Sequence, residues 1–133
     1  MIGFAICPLL LAISLPSCSK PRVEPQGARG EVMASYSGST LEAKLPPAVD
    51  VLAVQAAAER ELRARGYVIT SANGTQDSMR VVARAGGQRR DDAVTVSAQA
   101  LGRSTSVRVE NGLFGDEAAS RVVLDGLLKR LGR

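Results

Sequence analysis

Three successive segments near the middle of the chain, "SMRVVARA", "DAVTVSAQAL" and "STSVRVE", alternate between apolar and polar residues. Strict alternation places every second side chain on one face of a pleated strand, so a one-residue slip would expose the whole apolar set. Met79, Val81 and Ala83 share one side, with Val94, Val96, Ala98 and Ala100, and with Thr105, Val107 and Val109. The opposite side collects Arg80, Val82, Arg84, Thr95, Ser97, Gln99, Ser106, Arg108 and Glu110. A chain written this way folds into a sheet that is dry on one face and wet on the other.

The dry face needs a cover, and two helical segments supply it. Val51, Val54, Ala58 and Leu62 form an apolar stripe at helical spacing. That segment begins after Pro46-Pro47, where a proline at the first helical position is well tolerated, and stops at Gly66. Glu59/Arg63 and Glu61/Arg65 are i, i+4 pairs in the favourable order. A second stripe runs through Val123, Leu124, Leu127, Leu128 and Leu131, behind the N-cap candidate Asp116 and a helpful Glu117. "STLEAKL" adds a strand before the first helix, with Leu41, Ala43 and Leu45 inward, and "YVITSA" adds one after it, ending at an Asn73-Gly74 turn. The expectation is a two-layer α+β fold, an antiparallel sheet with two helices on one face, in the order β-α-β-β-β-β-α.

The N-terminal part has a different character. Ile2 to Leu15 is apolar but only about 14 residues long, where a membrane span needs roughly 20. It has the length of a signal-peptide core, although "MIGF" lacks the usual basic residues. "LPSC" (Leu15 to Cys18) resembles the bacterial lipobox, which implies that Cys18 is lipidated after cleavage of residues 1–17. Cys7 fits less well, since bulky Ile6 precedes it. Cleavage after Ser19 by an ordinary signal peptidase, releasing a soluble periplasmic domain, is the competing reading. Ser19, rather than Asp, after the cysteine resembles the sorting pattern for the outer membrane. The Pro- and Gly-rich stretch Ser19 to Glu31 reads as a flexible tether, so that residues 18–34 link the anchor to a domain over 35–133.

Composition narrows the chemistry. The chain holds no His, and both cysteines, Cys7 and Cys18, precede the domain. Cys/His metal sites, disulfide frameworks, and triads that rely on His or Cys are therefore excluded from it. The adjacent carboxylates Asp91-Asp92 and Asp116-Glu117 fall at a turn and at a helix start, unlike a protected acid/base pair. An enzyme acting on cell-wall material through those carboxylates is the alternative to a binding domain. No cofactor is expected.

Two surface features remain as binding candidates. Arg80, Arg84 and Arg108 lie on the wet face, suited to an envelope protein, peptidoglycan or an anionic glycolipid. No aromatic residue interleaves these arginines for base stacking, which argues against nucleic acid. The Gly112–Gly115–Asp116 turn offers backbone N–H groups at a helix start, but a capping Asp116 fills the place an anion would take.

"TLEAKLPPAVDVLAVQAAAERELRARGYVIT" and "SVRVENGLFGDEAASRVVLDGLLKRL" together resemble a family of small, functionally uncharacterised lipoproteins of Gram-negative bacteria. The likeness runs from Ser39 to Leu131 and is most specific at "GLFGDEAAS". It implies an envelope location and the lipid anchor on Cys18, and carries no activity.

Overall fold

The computed structural model describes residues 20–85, 93–112 and 114–133. Cys18, Asp91 and Asp92 lie outside these residues. Seven strands form one sheet: β1 Arg22–Gln26, β2 Val32–Ser37, β3 Thr40–Leu45, β4 Tyr67–Gly74, β5 Ser78–Ala85, β6 Ala93–Ala100 and β7 Thr105–Asn111. Two helices complete the fold, α1 Val51–Ala64 between β3 and β4, and α2 Glu117–Arg130 at the end. The strand order across the sheet is β1-β2-β3-β7-β6-β5-β4, every neighbouring pair antiparallel.

The class is α+β, as the alternation requires, but three strands rather than one precede the first helix. The extra two correct the expected order and the expected tether: from Arg22 onward, residues assigned to a linker are part of the sheet. Their physical origin explains why no period betrayed them. β1 buries only Gln26 and contains Pro25, so it is held by backbone pairing with β2 as an edge strand, where proline is tolerated. β2 turns only Val32, Ala34 and the half-buried Tyr36 inward, too short a set to stand out. Two smaller corrections concern chain reversals. Pro46 and Pro47 belong to a turn closed by Val49 N–H donating to the Pro46 carbonyl (3.0 Å), and α1 starts later, capped by Asp50. Asn73 and Gly74 stay in β4, and the reversal follows at Thr75–Asp77, where Thr75 N–H donates to the Ser78 carbonyl (2.7 Å).

The core lies between the helices and one sheet face. Leu41, Val81, Val94, Val96, Val107 and Val109 form a floor from which solvent is excluded, and Ala34, Ala43 and Ala83 keep it shallow. Val51, Val54, Leu62, Leu124, Leu127 and Leu128 press down on it. α1 covers β4, β5 and β6, while α2 covers β7, β3 and β1. All of the inward residues named by alternation are buried except Ala100, which frays into the β6–β7 corner.

α1 and α2 touch at a close approach. A Cβ on Gly126 would overlap the carboxylate of Glu61, so a glycine there lets a carboxylate span the two helices. At the far side Arg121, a buried arginine of α2, donates to the carbonyls of Arg22 (2.9 Å) and Ala34 (3.4 Å). One guanidinium thereby fastens the backbones of β1 and β2 to α2, its planar fork of donors reaching a carbonyl on each strand.

Leu127→Asp places a charge without a partner in the centre of this core, and should destabilise the domain by more than about 3 kcal/mol. Val82→Asp, on the opposite face of β5, should be mild by comparison in the same denaturant titration. The reverse order would invert the assignment of the faces.

Candidate functional site

The face of the sheet that the helices leave open is crossed by a continuous register row. It runs Val23, Ser35, Glu42, Arg108, Ser97, Arg80, Asn73, one residue from each strand. Arg80 and Arg108 flank Ser97, so their backbones stand two strand spacings apart, about 10 Å. Together with Ser97, Gln99 and Ser106 they line a depression of about 320 Å³. Arg84 does not join them. It sits opposite Ala93 at one end of β5, two pleats from Arg80, so the trio of arginines expected on this face resolves into a pair and an outlier.

The pair is not free of counter-charge. Arg108 Nε lies 3.5 Å from Glu42 Oε2, and Glu42 also accepts from the Ser106 hydroxyl at 3.2 Å. Arg80 forms no ion pair among the described residues. An anion entering the depression would meet Arg80 directly and compete with Glu42 for Arg108.

A larger groove of about 840 Å³ opens beside it, over β2, β3 and β7. Met33, Ser35, Glu42, Lys44 and Arg108 line it, so its walls mix one exposed thioether with hydroxyls and both charges. Lys44 and Glu42 were legible as outward residues of "STLEAKL". Met33 falls in the expected tether of residues 18–34 and Ser35 at the start of the expected domain, and no period marks either as an outward strand residue.

Of the adjacent carboxylates, Asp116 and Glu117 have structural occupations, while Asp91 and Asp92 lie outside the described residues. Asp116 Oδ1 accepts from the Ala119 N–H at 3.0 Å as the cap of α2. Glu117 lies 3.4 Å from Arg22 and 3.5 Å from Arg121. Gly112 and Gly115 bracket the turn with φ of 71° and 76°, conformations that other residues adopt at a cost. No group of three His, Cys, Asp or Glu suited to a metal ion occurs among the described residues.

Two further acids bind the fold rather than a substrate. Burial opposes ionisation of Glu61, but hydrogen bonds from Arg130 Nε (2.8 Å) and Arg65 Nε (2.5 Å) outweigh it and hold the carboxyl below its ordinary range. Asp125 is likewise lowered: burial is overcome by Lys129 (2.9 Å) and by the Gly27 N–H (2.8 Å). The Asp125–Gly27 bond, with Ala28 N–H donating to the Arg133 carbonyl (2.9 Å), secures the β1–β2 loop to the end of the chain.

No protein-family model matches the chain, and no similar protein is found among curated proteins.

Both lowered carboxyls contribute stability that is present above their unfolded values, 4.5 for Glu61 and 3.8 for Asp125, and is lost as pH falls through the folded ones. Acid titration of folding should therefore show a steeper loss below pH 4.5 in the native chain than in Glu61→Gln/Asp125→Asn. On the open face, a double-mutant cycle between Glu42 and Arg108, both partly exposed, should give a coupling of only about 0.2–1 kcal/mol.

Proposed function

We propose that this protein is a non-enzymatic, lipid-anchored component of a Gram-negative cell envelope. Acyl chains on Cys18 hold it in the outer membrane facing the periplasm, and its α+β domain binds or supports another envelope component through the open sheet face. Membership of the small-lipoprotein family that Ser39 to Leu131 resembles is part of the same proposal.

One observation carries it: the "LPSC" motif ends only four residues before Arg22, where the first strand begins. A cysteine placed between an apolar leader and a folded sheet suits attachment to a bilayer. One acyl chain binds a membrane marginally, whereas the three that a lipobox implies would hold the protein durably. The engagement of Asp116 and Glu117 in capping and ion pairing supports a binding role over carboxylate catalysis. The pairing of Arg80 and Arg108 across Ser97 points to a partner bearing phosphate or carboxylate groups, which guanidinium forks grip bidentately.

Cys18→Ala should abolish incorporation of labelled palmitate and move the protein out of the membrane fraction. Equal labelling of the variant would remove the anchor. For the open face, Arg80→Glu/Arg108→Glu should weaken retention on peptidoglycan sacculi or on vesicles of anionic glycolipid without shifting the melting temperature appreciably. Binding by the native face should also fall with added salt. Equal retention of two equally stable proteins on both materials would leave that face as solvated surface.

A further inference from the structure

We infer that the corner of the domain bearing Phe114 is a membrane-contacting surface, seated on the same bilayer that would hold the Cys18 acyl chains; this rests on the anchor reading above. Phe114 is 94% exposed, far more than any other large apolar residue among those described. Gly115, the residue after it, is firmly backed. Gly115 is pressed against the Tyr36 hydroxyl and the backbone of Ser39, leaving no room for a Cβ. On its other side Asp116 begins α2. The ring is therefore presented to solvent beside a braced glycine, where it is free to enter an apolar phase brought up to it.

The position of the turn says what covers it. Arg22 pairs with Tyr36 in the sheet, and its guanidinium lies 3.4 Å from Glu117 in the first turn of α2. Lys20, Arg22, Tyr36, Ser37, Gly38 and Glu117 line a single depression. Phe114 and the entry of the chain into the fold thus share one corner. Cys18 is two residues before Lys20, a reach of at most about 7 Å. An anchor on so short a lead keeps this corner at the bilayer surface.

Charge is not the attraction. Arg22 is paired with Glu117, and Lys20 is balanced by Asp116, two residues from Phe114 in the sequence, which leaves no cationic surplus for anionic lipid. One aromatic ring would not draw a protein out of water. With acyl chains already embedded, however, insertion of the ring becomes an intramolecular step at high effective concentration. The occupant that fits is the apolar–polar boundary of the bilayer, where an aromatic side chain is favoured. Docked there, the strands stand away from the membrane and the Arg80–Arg108 face stays open to the periplasm.

The chain contains no tryptophan, so Phe114→Trp introduces a single indole that can be excited selectively over Tyr36 and Tyr67. Full-length lipidated protein is reconstituted into phosphatidylethanolamine/phosphatidylglycerol vesicles containing acyl-brominated lipid, with Leu101→Trp, at the opposite end of the sheet, as reference. Trp at 114 should emit further to the blue and be quenched, whereas Trp at 101 should stay unquenched. The Cys18→Ala form of the Phe114→Trp chain, added to the same vesicles, should remain unquenched as well. Protein that takes up palmitate and floats with vesicles, yet shows equal quenching at the two positions, overturns this docking while leaving the anchor intact. Protein that neither labels nor floats overturns the anchor and the docking with it.

Discussion

The Glu61 carboxylate, gripped by Arg65 from its own helix and by Arg130 from the other, fixes how α1 and α2 lie against each other. It is the one buried carboxylate among the described residues, and its burial is tolerable only because two guanidinium groups satisfy it. Gly126 provides the space. Two helices of 14 residues must roof a sheet of seven strands, and only by lying side by side do they cover its apolar area as one layer. The shallow floor of Val and Ala is the counterpart: small side chains on the sheet allow the leucines of the helices to reach it. On the uncovered face, the register row from Val23 to Asn73 is polar apart from its first member.

Much of this architecture was written in residue periods. The stripe of α1, the Leu-rich stripe of α2 and the alternation of β3, β5, β6 and β7 place their buried residues correctly apart from exposed Ala100 and half-buried Leu131, because burial on one side selects a strict pattern. β1 escaped because its contribution is main-chain hydrogen bonding, which leaves no mark on side-chain polarity. The clamp that holds it, Arg121, looked like one more arginine on a helix; only the three-dimensional meeting of α2 with two strand ends turns it into a buried donor. The Glu61–Arg65 contact was visible as an i, i+4 pair, whereas Arg130, 69 residues further along, was not.

The candidate site shows the same division. Alternation alone put Arg80, Arg84 and Arg108 on the wet face, yet which of them face one another depends on strand order and register. The pairing of β6 between β5 and β7 joins Arg80 to Arg108 and separates Arg84 from both. The restraint of Arg108 by Glu42 follows from the β3–β7 pairing, a long-range connection that no local pattern announces.

That connection has a temporal consequence. β3 joins β7 across some sixty intervening residues, and the β1–β2 loop is closed by Asp125 and by the carbonyl of the last residue, Arg133. The half of the sheet made of β1, β2, β3 and β7 has no roof until α2 exists, whereas β4, β5 and β6 already have α1. Loops this long close slowly. In a chain wired this way the first strands are the last to be fixed, because β1 and the loop after it gain their side-chain clamps only from α2.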